Sequence, residues 1–189
     1  MDNPIFVLKT KESAWAPTPN AKQVVFAKKA VRIILVILLL GSFVFGDNLF
    51  GELSLMPKVL LIAMFLGTCF AKDKQKVAKP FEIRFYEDYL VLYREKRYYS
   101  PKVSRREFDK FLYKDIEKIV YRTDTHRINI YGMVEGIWYE YKKDGTLPDK
   151  PSYHKTTDSL AYFYTNEAPE VDFVETFEKY TPIKVTIQD

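Results

Sequence analysis

Ile33-Ile-Leu-Val-Ile-Leu-Leu-Leu-Gly-Ser-Phe-Val-Phe-Gly46 carries no charge. Together with a second apolar run, Val59–Ala71, it makes residues 33–71 a block whose only charged residues are Asp47, Glu52 and Lys58. The first run is about 14 residues long, short of the roughly 20 that a helix needs to cross about 30 Å of hydrocarbon. Lysine and arginine stems can reach back toward water, so Lys28, Lys29 and Arg32 allow a first helix over roughly residues 25–45. A second helix from Leu53 to Ala71 measures about 28 Å at 1.5 Å per residue. Between them, Gly46-Asp-Asn-Leu-Phe-Gly-Glu52 supplies the glycines and short polar side chains of a tight reversal. The block therefore predicts a two-helix transmembrane hairpin over residues 24–71, with a re-entrant hairpin and a buried soluble hairpin as the alternatives.

Charge places the flanks. Lys9, Lys11, Lys22, Lys28, Lys29 and Arg32 outnumber Asp2 and Glu12 before the block, and Lys72, Lys74, Lys76 and Lys79 outnumber Asp73 after it. A cation excess on both flanks predicts two passes with both termini cytoplasmic. The chain's net charge of +4 is concentrated in these flanks, leaving residues 81–189 mildly acidic, so the basicity does not argue for nucleic-acid binding. Cys69 is the single cysteine and cannot form a disulfide within the chain. A polar segment precedes the first apolar run and no small-residue cleavage site follows it, so it does not read as a signal peptide.

Outward from the block, residues 1–23 mix Ile5-Phe-Val-Leu8 with the turn-rich Ala14-Trp-Ala-Pro-Thr-Pro-Asn20. They read as a flexible tail, or as an edge strand if the β-prone patch docks. Residues 72–80 read as a basic linker. Beyond Pro80 the composition changes: all 14 tyrosines lie at or after Tyr86, and apolar residues alternate with polar ones in Phe81-Glu-Ile-Arg-Phe85 and Tyr89-Leu-Val-Leu-Tyr93. Strand signals continue over 107–113, 118–122, 127–131, 137–141 and 160–164, punctuated by Gly132, Gly136, Gly145, Pro148 and Pro151. Six or seven short strands at that spacing suit a small antiparallel barrel or sandwich over residues 81–189. Phe173, Val174, Phe177 and Tyr180 then repeat at helical spacing with acids opposite, predicting a C-terminal helix whose Phe173 and Phe177 enter the core.

The order of two helices, the hairpin Phe81-Glu-Ile-Arg-Phe-Tyr-Glu-Asp-Tyr-Leu-Val-Leu-Tyr93, the segment Tyr113-Lys-Asp-Ile-Glu-Lys-Ile-Val-Tyr121 and a late helix resembles the YcxB-like bacterial membrane proteins, over most of residues 30–180. The resemblance implies an α+β membrane protein of a bacterial-type plasma membrane, in which the hairpin tethers a small pleckstrin-homology-like (PH-like) β-barrel capped by the C-terminal helix. It also implies binding rather than catalysis.

The residues agree with a binding role. His126 and His154 lack a second ligand at metal-binding spacing, and no nucleophile elbow, P-loop or dinucleotide fingerprint occurs, so no metal, cofactor or enzymatic activity is expected. Most tyrosines read as half-buried sheet residues; the functional alternative is an aromatic-lined pocket, with Trp138 its most exposed member. In Tyr121-Arg-Thr-Asp-Thr-His-Arg127, a turn that needs only Asp124 and a threonine also gathers Arg122, His126 and Arg127, a candidate site for an anionic partner. The expected partners are membrane lipids or a protein, with self-association compatible and nucleic acid excluded. A second reading is a ligand-sensing β-domain whose oligomerisation drives the hairpin to disrupt a membrane.

Overall fold

The computed structural model describes residues 3–45, 51, 53–100 and 102–189. The chain forms two compact units, one of residues 17–75 and one of residues 1–16 with 76–189.

The smaller unit holds helix α1 (Ala21–Phe45) and helix α2 (Leu55–Phe70), which touch each other. Helices thus arise where the apolar runs predict them, but among the described residues no helix is long and apolar enough to cross a membrane. The two-helix transmembrane hairpin, and with it the two-pass plasma-membrane location, is corrected here. The physical reason is the distribution of charge and length. The N-terminal half of α1 carries Lys22, Lys28, Lys29 and Arg32 within the helix. Helix α2 has 16 residues, about 24 Å at the α-helical rise, and includes Lys58, whose Nζ donates to the Gly51 carbonyl at 2.7 Å. The reversal expected at residues 46–52 lies almost wholly outside the described residues.

The larger unit is built on one sheet of eight strands: β1 (Phe6–Pro17), β2 (Lys74–Phe85), β3 (Tyr89–Ser100), β4 (Val103–Leu112), β5 (Ile116–Arg122), β6 (Arg127–Glu140), β7 (Tyr153–Tyr164) and β8 (Val185–Gln188). Strands β1 to β4 follow one another in space, and β6 pairs with β4, β5 and β7. Strand β4 pairs with residues 135–140 of β6, β5 with residues 127–132, and β7 with 127–138. A strand has two edges, so β7 occupies one edge of β6 while β4 and β5 lie end to end along the other. The sheet forks at the join, β3 continuing beyond β4 and β8 pairing in parallel beyond β5. Gly132 makes the join: its φ is +137°, and a Cβ there would sit 2.1 Å from the Asp115 carbonyl oxygen.

The sheet is the bulk of the regular structure and curls into a half-barrel. A small closed PH-like barrel of short strands is corrected to this open sheet of longer ones. Gly132 and Gly136 read as turns in the sequence but lie inside the 14-residue β6, where a missing side chain lets other groups approach. Strand β7 begins at Tyr153 rather than 160, and β2 begins within the expected basic linker. The expected flexible tail is β1, whose alternate residues Glu12, Ala14 and Ala16 are buried.

One face of the curl is the core: Phe81, Ile83 and Phe85 of β2, Leu90 and Leu92 of β3, Phe111 of β4, Ile119 of β5, Ile128 and Ile130 of β6 and Phe163 of β7. Helix α3 (Phe173–Tyr180) stands at the predicted place and seals this face. Its Phe177 ring meets Phe85 edge-on at 5.5 Å and Phe173 lies 5.4 Å from Phe163. Asp172 caps it, accepting the Glu175 N–H at 2.9 Å.

Gly132→Ala should destabilise the protein by at least about 2 kcal/mol, since the new Cβ meets backbone as well as an unfavourable φ, whereas Gly145→Ala, at φ +84° with open space around it, should cost only about 1 kcal/mol. Chemical denaturation of both variants measures the difference; equal costs would mean that the approach of Asp115 does not constrain the fork.

Candidate functional site

The core face changes character along β3 and β4. Leu90 faces Phe111 and Leu92 faces Asp109 across the ladder, and one step further Arg94 faces Glu107. The alternation that buries leucines therefore also buries ions. Arg94 is 2% exposed. Its guanidinium donates to both oxygens of Glu12 on β1 (2.6 and 3.2 Å), to Asp109 Oδ2 on β4 (3.1 Å) and to the Tyr162 backbone carbonyl on β7 (2.8 Å), and it lies over the Phe81 ring. Burial alone would lower the Arg94 pKa, but Glu12, Asp109 and Glu107 outweigh it and hold the group above its ordinary range. Burial also pushes Asp109 up, against the opposing pull of Arg94.

Past Arg94 the β3–β4 register shifts, so that Arg97 rather than an even-numbered residue comes opposite Arg105. This bulge turns Arg97 and Tyr99 toward the inner face. Arg97 bonds Glu107 at 3.2 Å, and the Tyr99 hydroxyl donates to the same carboxylate. Burial and the Glu107 charge raise the Tyr99 phenol well above its ordinary pKa, so it remains a proton donor at neutral pH.

Arg97, Tyr99, Glu107 and Asp109 form the floor of a cavity of about 230 Å³ whose walls come from alternate residues of β6 (Val134, Gly136, Trp138) and β7 (Tyr153, Lys155, Thr157, Ser159). The Trp138 and Tyr153 rings stack at 4.0 Å. Trp138 Nε1 is buried without a hydrogen-bond partner at bonding distance. Gly136 keeps the middle of the cavity open: a Cβ there would meet Tyr153 and Trp138 at about van der Waals distance. The aromatic pocket around Trp138 is where the sequence suggests one, with the indole half-buried rather than exposed. Its ionic floor is what the sequence reading missed. The signal was present, because Arg94, Glu107 and Asp109 occupy the inward positions of strands that elsewhere fill them with Leu and Phe.

Arg122, His126 and Arg127 do not converge on a common site. Arg122 and Arg127 are register partners on β5 and β6, but Arg122 bonds Asp124 at 3.0 Å, while the Arg127 guanidinium lies over the Tyr162 ring at 4.9 Å with its Nε buried and unpartnered. His126 takes φ 49°, its carbonyl accepts the Thr165 N–H and hydroxyl, and it lines a different cavity beside Tyr121 and residues 169–174. Among the described residues no group of three or more His, Cys, Asp or Glu side chains is placed to hold a metal ion.

Arg94→Met should cost about 3–5 kcal/mol, because it strands buried Glu12 and Asp109 without their counter-charge. The Asp109 contribution has a definite sign. Its folded pKa lies above the usual 3.8, so the stability it contributes is full below that value and is lost as pH rises through the folded pKa. The melting temperature of wild type minus that of Asp109→Asn should accordingly fall as pH is raised from about 3; a difference that rises or stays flat would contradict the assignment.

Comparison of the chain with protein-family models, with curated proteins and with solved structures finds no match, and nothing in these comparisons bears on the resemblance to YcxB-like proteins.

Proposed function

We propose that the half-barrel is a binding module without catalytic activity, and that the cavity between β3, β4, β6 and β7 takes a small molecule bearing a carboxylate or phosphate group. The observation that carries this reading is the balance of charge in the cavity. Its acids are already engaged, Asp109 by Arg94 and Glu107 by Arg97 and Tyr99. Lys155, at the exposed rim, has no ion-pair partner among the described residues. Above a floor whose carboxylates are all held in ion pairs, an uncommitted ammonium favours a ligand with a negative group at the rim, where Thr157, Ser159 and Tyr153 supply hydroxyls. The flat Trp138–Tyr153 pair beside it offers an apolar surface for the rest of such a molecule. The engaged acids are held in ion pairs by buried cations, which suits a rigid receptor better than a proton-transferring site.

Trp15 and Trp138 are the two tryptophans, so Trp15→Phe leaves Trp138 as the only indole reporter. Titration of that variant with inorganic phosphate, phenyl phosphate and benzoate should give a saturable change in fluorescence for at least one of them. Lys155→Ala should weaken that binding about tenfold, the worth of one charge-assisted hydrogen bond. No saturable signal in the millimolar range, or equal affinity with and without Lys155, would refute the reading.

A further inference from the structure

Strand β7 is a regular edge strand. It pairs with β6 over twelve consecutive positions without a register shift, and among the described residues no strand pairs with its other side. Which backbone groups that side presents follows from two bonds. Thr165 N–H donates to the His126 carbonyl across the β6–β7 ladder, and the Tyr162 carbonyl turns instead to Arg94. By the alternation of an antiparallel ladder, odd-numbered residues of β7 bond β6 and even-numbered ones direct N–H and C=O outward. At Tyr162 that side is closed by Arg94. From His154 to Leu160 no backbone partner on that side is present among the described residues, and His154, Lys155, Thr156, Asp158, Ser159 and Leu160 are all exposed. Such an edge, without proline, glycine or bulge, is a template for another strand.

We propose that this edge pairs with β7 of a second copy of the chain, antiparallel about a two-fold axis at Thr156. A two-fold perpendicular to the sheet continues both core faces on one side and sets residues of like parity opposite each other. Centred on Thr156, it faces His154 with Asp158 twice, Lys155 with Thr157 twice, and Thr156 with itself. A histidine able to donate to the facing aspartate, and paired threonines, are favourable cross-strand partners. Centring on Lys155 would oppose two lysines, centring on Asp158 two aspartates, and centring on Thr157 would set His154 against Leu160. Asp158 has no ion-pair partner among the described residues, and His154 engages Glu135 through Nε2 at 2.7 Å, leaving Nδ1 for the partner. The open stretch also has its midpoint near Thr156: Ser152 N–H is bonded back to Trp138 at one end and Arg94 closes Tyr162 at the other. Charge and available length thus select the same register. The pairing would also set each copy's Lys155 and Thr157 at the mouth of the other's cavity, so that two ligand sites share one seam.

The full chain, kept in a mild detergent because α1 and α2 expose Phe26, Ile37, Leu60 and Phe65 among others, is examined by sedimentation velocity over a range of concentration. Wild type should dimerise reversibly. Thr156→Pro, which removes an outward N–H that β6 does not use, should raise the dissociation constant by at least about tenfold with the melting temperature unchanged. Asp158→Lys should weaken the dimer similarly. In a Cys69→Ser background, Thr156→Cys should be joined into a covalent dimer by a short thiol-reactive bismaleimide, because the paired Cα atoms would stand about 5.5 Å apart. Lys118→Cys, exposed on β5, serves as the control for collision. Association through the apolar helices alone would be indifferent to Thr156→Pro and would cross-link both cysteines alike. That result, or a monomeric wild type, would overturn the proposal. The cross-link decides the matter even if Thr156→Pro fails to fold.

Discussion

The sheet is held in its curl by one buried cation. Taking a guanidinium out of water costs several kcal/mol unless carboxylates and carbonyls surround it, and Arg94 on β3 finds them only by drawing in Glu12 from β1, Asp109 from β4 and the Tyr162 carbonyl from β7. Strands β1 and β7 are the two ends of the run β1 to β4, β6, β7. Satisfying Arg94 therefore requires both ends of the sheet to turn toward the same point. The neighbouring apolar contacts act in the same direction, Phe81 of β2 meeting Phe163 of β7 at 4.9 Å, but they are tolerant of small shifts. Hydrogen bonds to a buried charge are not.

The curl is incomplete, and its incompleteness is where binding becomes feasible. Toward Phe85 and α3 the inner face is filled by aromatic and aliphatic side chains. Toward Tyr99 and Tyr153 the same face carries ions and hydroxyls, which cannot close on one another as rings do, and Gly136 contributes nothing to fill the space. A single strand periodicity thus yields a packed core at one end and an open polar cavity at the other. The bulge after Arg94 adds to this by turning Arg97 and Tyr99 inward, where regular pleating would have turned them away.

The helical unit follows a different economy. Helix α2 has no buried residue, and among the described side chains of α1 only Ala21 and Val31 are buried. Both helices expose broad aliphatic surface, yet charge within α1 and the shortness of α2 keep either from crossing a bilayer.

Local sequence was enough to place the elements that depend on local chemistry. Helices α1, α2 and α3, the burial of Phe173 and Phe177, the β character of residues after Pro80 and the aromatic neighbourhood of Trp138 all follow from periodicity and composition, because those signals act between residues a few positions apart. Whether the second apolar run spans a membrane turned on its folded length, since α2 stops at 16 residues, short of the roughly 19 that the run allowed. Tertiary structure alone made an edge strand of the N-terminal segment, since Glu12 has no reason to be buried until Arg94, 82 positions away, is beside it. It alone also placed Gly132 and Gly136 inside β6: in sequence a glycine marks equally a turn and a point of close approach, and only the arrival of Asp115 at Gly132 and of Tyr153 at Gly136 distinguishes them. The separation of Arg122, His126 and Arg127 has the same origin. Arg122 pairs locally with Asp124, but Arg127 lies over Tyr162 and the His126 carbonyl is bonded by Thr165, contacts that exist only once β7 has packed beside the turn.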